Sequence, residues 1–186
     1  MAVSFARSME TSERIAAAIL LLDDSAWGNP IQSLCDAANA VLQSSTVGRG
    51  DSQCLIVSTK PTLRAYFLRA AQIGGYWQPF CQEVIGYAIA GDDNNSAIFW
   101  IQRYYKKEPV IALLPLAAQL IVVAGKLNSA AIGGLEIVTC DSGGCRRISD
   151  ESIAALESAA EEWDKRIRAL FSDYAQQFTY APSVIR

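Results

Sequence analysis

The sequence has one short segment that is dense in oxygen-bearing side chains, Gly91-Asp92-Asp93-Asn94-Asn95. Carboxylate and amide oxygens are the ligands that hard cations such as Ca²⁺ prefer. A calcium loop needs a longer series of ligands that ends in a distal glutamate, and this segment has no such series. Asp and Asn are also typical of turns and helix caps. We therefore interpret the segment as a turn that caps a following helix, and we expect neither a metal site nor a cofactor.

A second segment with chemical potential is Asp141-Ser142-Gly143-Gly144, which resembles the sequence around the nucleophile of trypsin-like serine proteases. In those enzymes the serine transfers its proton to a histidine that a carboxylate orients. The chain contains no histidine, so this mechanism cannot operate in it. Ser58-Thr59-Lys60-Pro61 lacks the helical spacing of a catalytic Ser–Lys pair. We predict a hairpin turn at the first segment, a strand-end turn at the second and no catalytic residue in either.

The five cysteines are the remaining reactive groups. An odd number without close spacing favours buried free thiols in a reducing compartment over a disulfide framework, so we predict a cytoplasmic location. A bridge between the two that flank the predicted hairpin turn stays an alternative, because only geometry decides it. The cysteines are Cys35, Cys54, Cys81, Cys140 and Cys145, the last two being the flanking pair.

Length and composition indicate an ordinary soluble, mildly acidic globular chain. It has 186 residues, of which 51% are hydrophobic, and a net charge of −3, which fits one domain with a sizeable core. There is no excess of Lys and Arg of the kind that binds nucleic acid or a membrane surface. The longest apolar segment, residues 110–125, contains Pro115 and Gln119, and we expect it to be too short and interrupted to span a bilayer. The charged residues near the start exclude a signal-peptide core.

Two helices are predicted at residues 11–24 and 30–44, after a short strand at residues 2–6. Thr11 or Ser12 would cap the first helix, and Pro would occupy the first position of the second. Apolar residues recur at helical spacing on both, so each helix needs a partner surface. The side chains that we expect to be buried are Ile15, Ile19, Leu22, Ile31, Leu34, Cys35, Ala38 and Leu42.

Four apolar or aromatic runs follow and predict an antiparallel sheet, because short links join them. They cover residues 54–58, 63–70, 76–84 and 87–90, with Gly74-Gly75 as a turn. Aromatic residues are concentrated in these strands. They fill the core or form a ligand or partner surface. These residues are Tyr66, Phe67, Tyr76, Trp77 and Phe80.

The second half of the chain is mainly helical. Helices are predicted at residues 97–105 and 110–127, then an apolar strand at residues 135–140, then a helix from Ser149 or Asp150 to residue 171. Residues 172–186 are expected to be an extended tail after a single domain over residues 1–171. The last helix has a stripe that we expect to be buried, formed by Ile153, Leu156, Ala160, Trp163, Ile167 and Leu170.

This order of elements resembles the proteasome β-subunit and HslV type of N-terminal-nucleophile hydrolase. The resemblance implies an α+β fold, an α-β-β-α sandwich of antiparallel sheets flanked by helices. Gly91-Asp92-Asp93 occupies the place of the family's Gly-Ser-Gly, which follows a short strand and opens a helix. Gly133-Gly134 before the strand at residues 135–140 is similar to the family's later Gly-Gly. Ser149-Asp150-Glu151-Ser152-Ile153 is similar to the start of its last helix.

The departures from the family pattern concern its catalytic groups. The family's nucleophile is an N-terminal threonine whose own α-amine serves as the base. Met1 and Ala2 offer no nucleophile, and we expect the N-terminal catalytic strands to be missing from this short form of the fold. Ser129 and Ile132 stand where the family has Asp and Ser, and Asp92 replaces the serine of Gly-Ser-Gly. No catalytic residue can be carried over.

Three functions remain open from the sequence. The favoured one is a proteasome-like subunit that acts as a non-catalytic structural or assembly component of a homo- or hetero-oligomer. The second is a threonine-type peptidase whose nucleophile lies upstream of Met1, and the third is an unrelated α+β binding domain. We expect no nucleic-acid and no membrane partner. Trp27, between the first two helices, would mark the subunit contact, or alternatively would close the helix pair.

Overall fold

A computed structural model describes residues 1–44, 50–91, 97–127 and 134–177. The chain divides into two compact units. The first comprises Met1–Asn95 and Val138–Arg147, and the second comprises Ser96–Ile137 and Ile148–Arg186. The chain is of the α+β class, as predicted. The single domain over residues 1–171 stays a prediction.

The first unit is built on a four-stranded antiparallel sheet with the order β1-β2-β3-β4. This confirms the antiparallel sheet that the consecutive apolar runs predicted, with Gly74 and Gly75 in the β3–β4 turn. The elements are β1 Ala2–Arg7, α1 Met9–Leu20, a 3-10 helix Asp24–Gly28, α2 Pro30–Gln43, β2 Ser52–Ser58, β3 Arg64–Ile73 and β4 Tyr76–Glu83.

The core of the first unit lies between the sheet and the helices α1 and α2, which both pack on it. The helical stripe predicted from the sequence is confirmed in its centre, because Ile15, Ile19 and Leu34 are fully buried. Leu22 and Cys35 are only partly buried, and Ile31, in the first turn of α2, is 43% exposed. The other apolar residues of this core include Trp27, Ala38, Leu42, Cys54, Ile56, Tyr66, Leu68, Ala70 and Cys81.

The start of α1 differs from the prediction. The helix begins at Met9, and the backbone carbonyl of Ser8 accepts the N–H of Ser12 at 2.9 Å. Thr11 and Ser12 are therefore buried inside the helix and do not cap it. The Ser12 hydroxyl donates to the Ala6 carbonyl at 3.0 Å and lies 2.7 Å from the Ser52 hydroxyl. The Ser12 hydroxyl therefore bonds to groups of β1 and β2 and is not available to cap the helix.

The first unit also contains a hairpin of β5 Val138–Asp141 and β6 Gly144–Arg147. It confirms the turn predicted at Asp141-Ser142-Gly143-Gly144, in which Asp141 Oδ1 accepts the backbone N–H of Gly143 at 2.7 Å. Cys140 lies opposite Cys145, with a Cα–Cα distance of 4.1 Å, and the two form a disulfide. The expectation of five free thiols was therefore wrong, because the hairpin register places this pair side by side.

The second unit consists of α3 Ala97–Tyr104, α4 Val110–Leu127 and α5 Asp150–Gln177, and α4 packs against both other helices. Ser149 caps α5 as predicted, since its hydroxyl accepts the N–H of Ser152 at 3.3 Å. The helix continues past residue 171, so the extended tail was wrong for residues 172–177. Residues 178–186 lie outside the described part. Ile153 and Ala160 are buried, but Trp163 is 50% exposed, so the predicted stripe is buried only near the start of the helix.

Within the described residues, α4 is long and apolar enough to cross a membrane by length and composition alone. It covers Val110–Leu127, as predicted, so the expectation that this segment is too short to span a bilayer was wrong. A single helix of this kind is weak evidence, because the core helix of a globular protein meets the same criterion. The absence of a membrane partner stays a prediction.

Candidate interaction site

The sheet of the first unit has one face covered by helices and one face that is only partly covered. Side chains alternate along a strand, so the neighbours of the core residues point to the second face. Register pairs Leu55 with Phe67, and Ile73 with Tyr76, across this face. We call it the open face, and its larger apolar residues are Leu55, Val57, Phe67, Ile73, Tyr76 and Phe80.

The open face exposes large apolar side chains near the β3–β4 turn. Ile73 is 59% exposed, Tyr76 is 74% exposed and Phe80 is 59% exposed, whereas Leu55 and Phe67 are half-buried. Contiguous exposed apolar surface of this kind marks interaction sites in folded proteins. The open face therefore has the composition of a contact surface.

The aromatic residues singled out from the sequence divide between the two faces. Tyr66 and Trp77 lie on the helix-covered face, where Tyr66 is in the core and burial raises the pKa of its phenol. Phe67, Tyr76 and Phe80 lie on the open face. The core interpretation is therefore confirmed for Tyr66, whereas a ligand or partner surface formed by the exposed aromatic residues stays a prediction.

The polar residues of the open face carry little charge. They are Ser4, Gln53, Arg69, Gln78 and Gln82, of which only Arg69 is ionised. The strands β1 and β4 are the two ends of the sheet order, so each also presents one unpaired backbone edge among the described strands. A surface with exposed apolar residues near the β3–β4 turn, mostly neutral polar residues and free strand edges suits another β-rich surface better than a charged partner.

Side chains of β1 and β2 hold the backbone of Gly91, and we call this arrangement the Gly91 clamp. The side chain of Gln53, which is 1% exposed, accepts the Gly91 N–H at 2.8 Å. Arg7 Nε donates to the Gly91 carbonyl at 3.0 Å, and the Arg7 guanidinium lies 3.8 Å from Asp51. Gly91 has a φ of +145°, which a residue with a side chain rarely adopts.

This clamp explains why the strand predicted at residues 87–90 is absent from the described structure. The backbone at Gly91 bonds to side chains of β1 and β2 instead of a neighbouring strand, so the preceding residues join no ladder. The cation site considered at Asp92-Asp93-Asn94-Asn95 falls outside the described residues.

The free thiols of this unit are not activated nucleophiles. Burial raises the pKa of Cys54 to about 11 and that of Cys81 to about 12, and it also raises the pKa of Cys35. A thiol with such a pKa stays protonated near neutral pH, and the thiolate is the reactive form. The described residues also contain no group of three or more Cys, Asp or Glu side chains that could hold a metal ion.

The serine candidates have no activating partner in the described structure. Ser142 is an exposed turn residue of the β5–β6 hairpin. The Ser58 hydroxyl donates to the Lys60 carbonyl at 2.8 Å, whereas the Lys60 ammonium pairs with Asp24 at 3.2 Å. Neither arrangement places a base beside a serine hydroxyl.

Trp27 is not the exposed contact that we expected. It is only 9% exposed, and its ring centre lies 6.3 Å from that of Tyr66. The alternative, in which Trp27 closes the helix pair, is therefore the correct one. The sequence did contain a signal for the open face: the unbroken apolar run Cys54-Leu55-Ile56-Val57 is typical of a strand that is apolar on both faces.

Comparison with known proteins identifies no family model and no curated protein that matches this chain.

Proposed function

We propose that this chain is a non-catalytic subunit of a self-associating assembly, of the proteasome-like type that its element order resembles. The observation that carries the proposal is the open face, with Ile73, Tyr76 and Phe80 largely exposed. A face of this kind is stabilised when another protein surface removes it from water. The chain would then contribute structure to the assembly and no reaction of its own.

The proposal includes the α-β-β-α sandwich as the fold of the assembled subunit. Support comes from the arrangement of the first unit, in which α1 and α2 cover one face and leave the other apolar face for a second sheet. Sheets that pack face to face interdigitate apolar side chains in this way.

We propose a second copy of this chain as the occupant of the open face. In a two-fold contact the same patch meets itself, so the patch must be complementary to itself. The open face satisfies this requirement, because it carries apolar and amide side chains and a single cation, Arg69. A strongly charged patch would repel its own copy.

The experiment is light scattering on purified protein over a tenfold dilution, with a paired set of variants. Phe80→Gln removes an apolar side chain of the open face. Leu63→Gln is the control, since Leu63 is 49% exposed and precedes β3. We expect the unchanged chain and the control to associate, and Phe80→Gln to weaken association by about tenfold or more. A stable 20.2 kDa monomer at every concentration would contradict the proposal.

The absence of catalysis is tested separately with peptide–fluorophore substrates. The chain has no histidine, neither Ser58 nor Ser142 has a base beside its hydroxyl, and burial raises the pKa of each free thiol, so we expect no turnover above the buffer rate. Turnover that Ser142→Ala abolishes would contradict the proposal directly. Turnover that this change leaves intact would also contradict the proposal and would leave the mechanism open.

The cytoplasmic location belongs to the same proposal. Disulfides are rare in the reducing cytosol, where those that form are mostly transient. A cytoplasmic location therefore requires the Cys140–Cys145 bridge to be reduced or short-lived in the cell. Alkylation in rapidly acidified cell extracts would measure this, with bridged protein in the majority contradicting the location.

A further inference from the structure

The second unit contains a cavity of about 520 Å³ between its three helices. This volume lies within the range of small-molecule sites, which are mostly apolar with a few placed polar groups. The lining follows that pattern. Its residues include Trp100 and Tyr104 of α3, Leu113, Leu116 and Gln119 of α4, and Trp163 of α5.

Gln119 of α4 is a polar residue in this lining. The residue is 2% exposed, and its Oε1 atom is buried without a hydrogen-bond partner in the described structure. A buried acceptor that makes no hydrogen bond carries a free-energy cost, and such atoms are rare in folded proteins. A bound molecule that donates one hydrogen bond to Oε1 would remove this cost.

The walls of the cavity are aromatic. The rings of Trp100 and Tyr104 are stacked on each other, with their centres 5.4 Å apart and an interplanar angle of 25°. Trp163 lines the cavity from α5 and is half exposed. Aromatic surfaces of this kind favour the stacking of a flat ring.

The charges that line the cavity are mostly positive. Arg166 lies 3.1 Å from Glu162, which neutralises it. Arg103 and Lys106 also line the cavity, and the part of the chain that the structure describes shows no ion pair for either. Glu108 is the one carboxylate in the lining. Arginine and lysine beside an apolar pocket are typical of sites that bind an anionic group.

We propose that this cavity binds a small aromatic carboxylate that carries an N–H or O–H donor. The ring packs against the aromatic wall, the donor bonds to Gln119 Oε1, and the carboxylate pairs with Arg103 and Lys106. Each part of the ligand thus meets one observed feature: the aromatic wall, the unpartnered oxygen or the excess positive charge. The inference goes beyond the proposed function and does not depend on it.

Three related probes test the inference by calorimetry on the full chain. Indole-3-acetate has the ring, the donor and the carboxylate. Its 1-methyl derivative lacks the donor, and indole-3-acetamide lacks the charge. We expect indole-3-acetate to bind with a Kd below about 1 mM, and each of the other two to bind about tenfold more weakly. Equal binding of all three, or no binding of indole-3-acetate at about 5 mM, would overturn the proposal.

Two variants test which residue causes the preference for the N–H donor and which causes the preference for the carboxylate. Gln119→Leu keeps the volume but removes the acceptor, so indole-3-acetate and its 1-methyl derivative should bind equally. Arg103→Gln should reduce the preference for the acid over the amide while leaving the preference for the N–H donor. Phe99→Leu is the control, because Phe99 is 64% exposed and outside the lining.

The outcome for Gln119→Leu is decided by a second readout, its thermal unfolding without ligand. If Oε1 lacks a partner in the free protein, this variant unfolds at the same or a higher temperature. If it unfolds at a clearly lower temperature, the amide is satisfied within the chain, for instance through a bound water, and the proposed role of Gln119 is wrong. Retention of the N–H preference in the variant would overturn that role as well.

Discussion

The two units of this chain use apolar residues in different ways. The first buries large aliphatic side chains completely, among them Ile15, Ile19 and Leu34. The second buries Ala118, Ala124 and Gln119 in α4, while long apolar side chains such as Ile111 stay 75% exposed. A sheet offers two helices a broad apolar surface, whereas three helices have only each other's stripes.

The comparison shows that apolar content alone does not determine where a protein is held together. The helix α4 is the most apolar helix of the chain, yet only 17% of it is buried. The less apolar helices α1 and α2 contribute more to a core, because a sheet lies beneath them. We therefore assign most of the packing stability to the first unit, and we regard the second unit as the region where binding adds most.

The largest expected effect comes from replacing one leucine in each unit and comparing the losses of stability. Leu34→Ala removes a fully buried side chain of the first unit, and we expect the free energy of unfolding to fall by about 3 kcal/mol. Leu170→Ala removes a side chain that is 57% exposed in α5, and we expect a change within about 0.5 kcal/mol. Urea unfolding of both variants measures this. Equal losses of stability would contradict the assignment of most of the packing stability to the first unit.

The next effect is an alkaline instability confined to the first unit. Burial raises the pKa of Cys54 to about 11 and that of Cys81 to about 12. A raised folded-state pKa stabilises the fold fully below the unfolded thiol pKa of about 8.5, and this contribution is lost as pH rises towards the folded value. We expect a loss on the order of 2–3 kcal/mol for each of the two thiols by about pH 11.

The measurement is the urea midpoint between pH 7 and pH 11, with Cys54→Ala and Cys81→Ala combined as the comparison. The double variant starts from a lower stability, but it should lose less as the pH rises, because it has no buried thiol to ionise at these positions. A pH dependence identical to that of the unchanged chain would show that other groups cause the instability.

The smallest effect concerns buried hydroxyls. Ser12→Ala removes the hydrogen bonds to the Ala6 carbonyl and to the Ser52 hydroxyl, so we expect a loss of about 1–2 kcal/mol. The matched change in the second unit is Ser172→Ala, because the Ser172 hydroxyl donates to the Arg168 carbonyl from an exposed position. There we expect less than about 0.5 kcal/mol. Thermal unfolding of both variants measures these losses. A larger loss for Ser172→Ala than for Ser12→Ala would contradict the role that we assign to the buried hydroxyls.

Periodicity in the sequence predicted most elements of both units. Helical spacing located α2 and α4, and consecutive apolar runs located β2, β3 and β4 close to their observed bounds. These elements were predictable because each has a local pattern of period 3.6 or 2 that decides its structure. The first turn of α1 was missed, since Thr11 and Ser12 have the types of cap residues but bond to Gly50 and to Ser52 of β2 instead.

The candidate sites were less predictable, because they depend on contacts between distant parts of the chain. Nothing near Gln119 in the sequence distinguishes its oxygen from that of an exposed glutamine. The orphaned acceptor arises only when α3, α4 and α5 meet. The Cys140–Cys145 pair likewise required the register of the hairpin. Trp163 is half exposed because the neighbouring helices cover only part of the α5 surface. The spacing of apolar residues in the sequence does not show how large that part is.

The clamp at Gly91 affects the rate at which the Gly91 amide proton exchanges with solvent. Residues outside helices and strands normally exchange quickly, because brief local opening exposes their N–H groups. The Gly91 N–H, however, donates to the oxygen of a side chain that is 1% exposed, and the same peptide segment is held by Arg7. Its proton can leave only when Gln53 or β2 itself moves. Gly91 is thus expected to be a slowly exchanging residue of the sheet although it belongs to no strand.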